Sequence, residues 1–419
     1  MMNSNIKSTK KDIVVVGGGP AGMAAGLRGA EEGAEVMIVE RDIELGGILN
    51  QCIHNGFGVE IYGEELTGPE YAERFTSQIS ESSVDVMLNT FVLSMRPDKS
   101  MTLLTPNGLL EVEAEAVVLA TGARERSRGE IRIPGSRPSG VMPAGTAQEL
   151  INKKGFLPGK RVFVLGSGDI GLIISRRLTW EGAEVAGVAE IMDYPTGLNR
   201  NVVQCLHDYD IPLHLSHTVT DIYGSNRLEG VELSRVDDNM KPVEGTGQDI
   251  DVDLLLLSVG LVPENDFFKE AGVTLSERTS GPIVDEWFQT DVPGIFGCGN
   301  SVHIEDLVDW VTMDGFRAGD GAVAYAGNGN LQSAEKDVVP GENVNYVVPQ
   351  KVSGEDDFRF ALRVEEPMEN ADISIKGTDI SFFEKIVTPG EMEVNEVEGE
   401  DLEELQGLDE IEVEVTRRF

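Results

Sequence analysis

Two six-residue glycine patterns carry the residues best spaced for chemistry. The first, Gly17-Gly18-Gly19-Pro20-Ala21-Gly22, follows the apolar run Ile13-Val14-Val15-Val16. The second, Gly166-Ser167-Gly168-Asp169-Ile170-Gly171, follows Val162-Phe163-Val164-Leu165. In such a pattern the first glycine permits a tight strand-to-helix turn. The second lets the backbone approach a pyrophosphate, and the third lets the helix pack on the strand. The pyrophosphate then rests on free N–H groups at the positive end of the helix dipole. Gly17, Gly19 and Gly22 take these parts in the first pattern, with Pro20 and Ala21 between. Gly166, Gly168 and Gly171 take them in the second, with Asp169 and Ile170 between. Two patterns in one chain predict two dinucleotides, one a lasting cofactor and one a visiting substrate.

The elements around the patterns must position them. Ile13 to Val16 reads as a buried parallel strand by its β-branched run. A small-residue helix is expected over 22–32, with Gly33 as its left-handed cap, then a strand over 34–39. Glu40 ends that strand and can accept from adenosine ribose hydroxyls. Residues 162–190 repeat the arrangement, and Glu32-Gly33-Ala34-Glu35-Val36 recurs as Glu181-Gly182-Ala183-Glu184-Val185. Aligning these segments sets Ala189, not Glu190, opposite Glu40. A one-residue shift in a strand changes the face, so Glu190 serves as the second ribose acid only if the strand's end bends. No arginine pair stands near it for a 2′-phosphate, which favours NAD(H) over NADP(H).

Further strands are expected at 111–120, ending in Ala120-Thr121-Gly122, and at 253–259, before Gly260. Residues 123–143 read as an Arg-, Gly- and Pro-rich linker. The segment Thr290 to Asn300 precedes a helix expected over 303–326. Beyond about residue 340, six short strands are expected, over 345–352, 358–364, 371–375, 380–387, 392–397 and 410–415. That spacing points to a small β-sandwich with a docking or stabilising role.

Composition narrows the partners. The chain has 419 residues, 73 acidic against 34 basic side chains, and a net charge of −39. Such a field repels phosphate backbones and anionic membranes, which argues against nucleic acid. It fits either plain solubility or a salty cytoplasm, where screening makes dense carboxylates tolerable. No apolar run reaches transmembrane length, and Met1 to Lys11 lacks a signal core. Cys52, Cys205 and Cys298 form no CxxC, so neither a disulfide framework nor a metal site is expected, and a reducing cytoplasm fits best.

The order of motifs resembles the two-dinucleotide flavoprotein reductases, relatives of thioredoxin reductase and glutathione reductase. It runs from the first pattern through Gly46-Gly47, Ala120-Thr121-Gly122, the second pattern and Gly260-Leu261-Val262-Pro263 to Gly297-Cys298-Gly299-Asn300. The resemblance implies FAD on the first unit and NAD(P)H on the second. It implies an α/β fold with two Rossmann-like, three-layer dinucleotide-binding domains, the FAD domain discontinuous, plus the C-terminal β-sandwich-like module. The expected division is 1–145 and 276–330 for FAD, 146–275 for NAD(P), and 331–419 for the module. By the same resemblance Arg41, Gly46, Gly47, Thr121, Gly122, Gly260, Gly299 and Asn300 join the nucleotide-binding residues. Asn300 stands where the family usually has Asp, and it can still hydrogen-bond a ribityl hydroxyl. The helix after Asn300 is expected to aim its N-terminus at the flavin, with Glu305, Asp306 and Asp309 capping or solvating that helix rather than touching flavin.

The family's cysteine pair is absent, so dithiol relay chemistry loses its usual path. The segment Gly46 to Gly58, with Glu65 to Ala72 and Cys298 to Asp309, is similar to anaerobe oxidoreductases associated with flavin-dependent glycerol-3-phosphate dehydrogenase. Related chains serve as subunits of amino-acid, opine or cyanide-forming dehydrogenases. Cys52 falls where the family places redox cysteines. It reads as a redox centre, a charge-transfer donor or an inert packing residue. His54 reads as a proton carrier or a structural donor. Cys298 is expected to be chosen for size and Cys205 to lie in a helix core. Three functions remain open. The first is a subunit passing electrons between NAD(H) and a partner flavin-dependent dehydrogenase, in a homo- or hetero-oligomer. The second is a stand-alone reductase of a disulfide, peroxide or other small acceptor through Cys52. The third is a non-catalytic flavoprotein module.

Overall fold

The computed structural model describes residues 7–329, 331 and 334–418. The chain divides into two compact units, Met1–Ala123 with Pro263–Phe419, and Arg124–Val262. Residues 1–6 of the polar leader lie outside the described residues. The strand that follows runs Lys7–Val16, six residues earlier than the apolar run alone indicates. Its first half pairs only with Leu110–Ala114, beyond the reach of the strand 36–39, so its polar residues extend the sheet as an edge.

In the first unit a seven-stranded sheet has the order 85–87, 36–39, 7–16, 108–119, 100–105, 91–95. The strand Ile295–Gly297 joins it in parallel against the buried end of Gly108–Leu119. The helices Pro20–Glu31, Gly68–Glu81 and Val308–Asn328 share one apolar cluster with a face of this sheet. Two glycines bring the long helix close: a Cβ on Gly315 would stand 2.2 Å from Ala21 O, and one on Gly319 2.9 Å from Ala25 O. The long helix begins at Val308, five residues later than expected, because a 3-10 turn at Gly299–Ser301 and the loop behind it intervene. Gly33 does end the first helix, with φ +83°.

The C-terminal module is a sandwich of two sheets. One holds the strands 351–352, 336–340, 410–417, 368–375 and 381–387; the other holds 344–348, 358–364 and 393–397. Both line one apolar core that includes Val338, Phe360, Leu362, Ile373 and Val413. Five of the six expected strands are present as such; the expected 345–352 is split at Pro349-Gln350 into Val344–Val348 and Lys351–Val352, which lie in different sheets, and Lys336–Pro340 is one the pattern did not single out.

The second unit, taken by itself, has five parallel strands in the order 141–143, 254–257, 161–165, 184–190, 213–215, and a separate three-stranded antiparallel sheet. Continuous burial of Leu254–Leu257 and Val162–Leu165 is the signature of parallel strands covered on both faces. The linker region carries a one-turn helix, Arg128–Ile131, with a Ser127/Glu130 capping box.

Candidate functional site: two nucleotide cradles

The three spaced glycines of the first pattern, Gly17, Gly19 and Gly22, do different jobs. A Cβ on Gly17, which has φ +110°, would stand 2.3 Å from Ala120 O, and one on Gly22 would stand 1.9 Å from Gly17 O. These two glycines are demanded by the chain's own backbone. Around Gly19 no heavy atom lies within 4 Å of the Cβ position. The middle glycine therefore opens space over the first turn of the helix Pro20–Glu31, where free N–H groups favour an anion. A pyrophosphate fits that cradle.

The cradle's walls are the other residues singled out from the sequence. Glu40 is buried, and its Oε2 accepts from Gly18 N at 2.7 Å while Oε1 accepts from Asp42 N at 2.7 Å. It holds the turn's shape, and each oxygen retains a lone pair for a ribose hydroxyl. Arg41 is exposed beside it. Gly46 N donates to Gly18 O at 2.8 Å, and a Cβ on Gly47 would lie 3.1 Å from Gly19 Cα, so this pair runs along the glycine turn. Thr121 Oγ1 donates to Glu264 O at 2.8 Å, and Gly122 faces open space. A Cβ on Gly299 would lie 3.1 Å from Ala21 Cβ. Asn300 Oδ1 accepts from Glu305 N at 3.0 Å. All of these lie in the first unit.

The second unit builds the same cradle. A Cβ on Gly166 would stand 1.9 Å from Ser258 O and one on Gly171 2.7 Å from Gly166 O, while Gly168 meets only Ser258 Oγ at 3.9 Å. Ser258 takes the place of Ala120, and Gly260 with φ +94° takes that of Gly122 with φ +71°. The expected offset at Glu190 is absorbed inside the strand, not at its end. Val162 pairs with Val185 but Phe163 pairs with Gly187, so Ala186 is an extra, bulged residue. Beyond it Leu165 pairs with Ala189 as Val16 pairs with Val39, and Glu190 falls where Glu40 falls. Its Oε2 accepts from Ser167 N (3.0 Å), Ser167 Oγ (2.6 Å) and Thr196 Oγ1 (3.1 Å), and its Oε1 from Met192 N (3.1 Å).

Sequence reasoning missed one part of this cradle. Gly197 N donates to Ser167 O at 3.0 Å, the counterpart of the bond from Gly46 N to Gly18 O. Pro195-Thr196-Gly197, a few residues past the acid, was the available signal. Asp169 Oδ1 accepts from Leu198 N (2.9 Å) and Asn201 Nδ2 (2.7 Å), which turns the carboxylate toward the next helix. Ile170 is half-buried at the helix start.

Cys52 and His54 follow the 3-10 turn Gly47–Gln51. Gly68 N donates to Cys52 O at 2.8 Å, and a Cβ on Gly68 would clash with Leu49 O and Cys52 O at 2.3 and 2.7 Å. The Thr67-Gly68-Pro69 segment thus fixes the cysteine's backbone. Burial pushes the Cys52 thiol up to about 12, so it is a neutral thiol at neutral pH rather than the nucleophilic thiolate. The His54 ring lies 5.0 Å from that of Phe57.

Asp309 neither solvates nor caps its own helix. It is buried, and it accepts from Gly58 N (3.0 Å) and Ile61 N (3.1 Å), tying the long helix to the segment just after His54. Tyr71 and Thr312 add a buried hydroxyl pair at 2.8 Å. Glu305 and Asp306 are also engaged elsewhere, with His303 and Arg363. A solvated fate is therefore wrong for Glu305 and Asp309, which are buried, whereas Asp306 is exposed while it pairs with Arg363. Cys205 and Cys298 are buried, as expected.

Paired glycine cradles on Rossmann-type units define a dinucleotide-binding oxidoreductase of the thioredoxin-reductase-like fold. Residues 11–315 match the model of the pyridine nucleotide-disulphide oxidoreductases, and the chain belongs to that family of FAD-dependent enzymes. Thioredoxin reductase from T. acidophilum superposes with a TM-score of 0.61 at 22% identity, covering 75% of this chain and 98% of that one. L-proline dehydrogenase from P. horikoshii gives 0.54 at 22% identity, over 80% of this chain and 58% of that one. Among curated proteins, the hydrogen cyanide synthase subunit HcnB of Pseudomonas protegens is 26% identical over 336 residues, 74% of this chain and 67% of the relative. A subunit of opine oxidase from Agrobacterium tumefaciens is 26% identical over 317 residues, 70% and 61% of the two chains. The chain spans about two thirds of the length of the curated relatives it matches. Among the described residues, no helix is long and apolar enough to cross a membrane.

Proposed function

We propose that this enzyme passes electrons between NAD(H) on the second cradle and a partner dehydrogenase subunit, by way of FAD on the first. The observation that carries the reading is the duplicated cradle joined to a protonated Cys52 outside any CxxC pair, which offers two nucleotide sites and no dithiol relay. The names of relatives as subunits of hydrogen cyanide synthase and opine oxidase support a partner. The proposed partner is of the glycerol-3-phosphate dehydrogenase type, on the motif resemblance through 46–58 and 298–309. The proposed location is the cytoplasm.

Bound FAD supplies hydride exchange with the nicotinamide ring; the protein supplies orientation and electrostatics. On this reading Gly19, Pro20, Ala21 and the helix start hold the FAD pyrophosphate, with Gly17 and Gly22 shaping the turn. Glu40 and Arg41 border the adenosine, Gly46, Gly47, Thr121 and Gly122 close over the ligand, and Gly299 and Asn300 meet the ribityl chain. Because Asn300 Oδ1 is engaged by Glu305 N, the amide nitrogen is the donor it would present. Gly166, Gly168, Asp169, Ile170, Gly171, Glu190 and Gly260 do the equivalent work for NAD(H). With FAD bound, Cys52 and His54 would border the flavin ring, and the His54 imidazole would be the group to hold or release a proton there. The FAD domain expected over 1–145 and 276–330 and the NAD domain expected over 146–275 are proposed to follow the two compact units, so that 124–145 goes with the NAD domain and 263–275 with the FAD domain, and 331–419 is the docking module.

Two measurements separate this from a stand-alone reductase. The Cys52→Ser variant is expected to keep full NADH-to-dye activity and unchanged turnover with the partner; loss of turnover with the physiological acceptor while dye reduction persists favours direct chemistry at Cys52. Co-expression with a flavin-dependent glycerol-3-phosphate dehydrogenase is expected to give NAD reduction that depends on glycerol 3-phosphate. Its absence removes that partner.

A further inference from the structure

Behind the Gly299-Asn300 turn lies a buried polar cluster that the proposed electron transfer does not use. His303, Glu305 and Asp314 are all buried, with His303 Nε2 2.9 Å from Glu305 Oε1. The acceptor or donor atoms of the three lie within 4.8 Å of one another. Arg359, from the sandwich strand Phe358–Val364, reaches in to Asp314 Oδ1. Glu305 Oε2 and Asp314 Oδ2 have no hydrogen-bond partner, nor has His303 Nδ1. Two unpartnered carboxylate oxygens buried in contact are costly, because both are acceptors and neither can donate.

We infer that Glu305 and Asp314 share a single proton, forming a hydrogen-bonded carboxyl–carboxylate pair of net charge −1 that latches the C-terminal sandwich to the Gly299-Asn300 turn. A proton on Asp314 Oδ2 turns that oxygen into a donor to Glu305 Oε2, and one bond then satisfies both orphan atoms. A divalent cation is the poorer solution, since the Arg359 guanidinium already lies on Asp314 and His303 already meets Glu305. The latch joins three elements. Glu305 N is held by Asn300, Asp314 sits on the long helix beside Gly315, and Arg359 belongs to the sandwich. The charged and titratable groups facing the pair are His303, Arg359, Arg363 with its partner Asp306, Tyr346 and Cys298. Burial, then the Glu305 charge, push Asp314 up to about 8. The inference stands on the chain's own contacts, whatever the turn binds.

The test uses the flavin-loaded protein and its Asp314→Asn variant, an amide that can still donate to Glu305. A folded acid with a raised value holds a proton that the unfolded chain has released, so stability falls as pH rises toward that value and levels off above it. The unfolding constant of the wild type relative to the variant is expected to rise about tenfold per pH unit between pH 6 and about 7.5. His303, raised because its Glu305 partner outweighs burial, titrates with the same sign and does not cancel the effect. Infrared difference spectra are expected to show one neutral-carboxyl carbonyl in the wild type at pH 6.5 that the variant lacks. If that variant does not fold, Glu305→Gln replaces it, and the difference band between wild type and that variant is followed through pH 8, which removes the other raised acids, Asp285 and Glu393, from the signal. A band unchanged by either variant and by pH overturns the inference, as does a stoichiometric divalent metal in the purified protein.

Discussion

Replacing Glu190 by Gln tests the logic of the second cradle at its most loaded atom. Oε2 takes three donors and Oε1 one. An amide can offer only one carbonyl oxygen, so it will turn that oxygen to the Oε2 position and set its NH2 against Met192 N–H. The variant then loses one bond to a charged acceptor, worth about 1.5–3 kcal/mol, and leaves Met192 N–H facing a donor. The three surviving bonds weaken as the charge disappears. The sum is about 2–4 kcal/mol against the Arg124–Val262 unit. NADH affinity should fall about tenfold if one ribose hydroxyl loses a charged acceptor, since about 1.4 kcal/mol is tenfold. Urea unfolding followed by tryptophan fluorescence, with Trp180 as a reporter in this unit, measures the first quantity, and NADH titration the second. FAD content should not change. Unfolding within about 0.5 kcal/mol of the wild type, a neutral surface substitution's range, would refute the claim that this carboxylate braces the turn.

Three further outcomes follow from the same geometry. Gly22→Ala should destabilise the apoprotein by about 3 kcal/mol or more, because its Cβ meets Gly17 O; Gly19→Ala should leave apoprotein unfolding unchanged and abolish FAD retention, read from the flavin absorbance of the purified protein. Asp309→Ala orphans the N–H groups of Gly58 and Ile61, costing about 2–4 kcal/mol, and should speed iodoacetamide labelling of Cys52. The net charge of −39 should make the melting temperature climb by several degrees from 0.1 M to 1 M KCl, as the Debye length falls from about 10 to about 3 Å; a flat or falling curve argues that the acidic surface carries little self-repulsion.

Much of this architecture was legible because local chemistry dictated it. The glycine turns, the buried parallel strands and the Gly33 cap follow from backbone sterics that act within a few residues. What was illegible depended on partners distant in sequence. The bulge at Ala186 exists because residues 184–190 must both pair with 161–165 and deliver a glutamate to Ser167; no composition rule marks an alanine for that role. Asp309 looked like a solvated acid because its donors, Gly58 and Ile61, lie some 250 residues away. The cluster at His303, Glu305 and Asp314 was hidden for the same reason, since Arg359 arrives from the sandwich. Gly197 was missed because it stands one residue further from its acid than Gly46 does from Glu40.

The most direct test of the account is anaerobic mixing of the flavin-loaded protein with NADH and, separately, with NADPH. The account predicts that NADH bleaches the oxidised-flavin absorbance rapidly and NADPH more slowly. Flavin that stays oxidised with both nucleotides would contradict the assignment of the two cradles to a working pair.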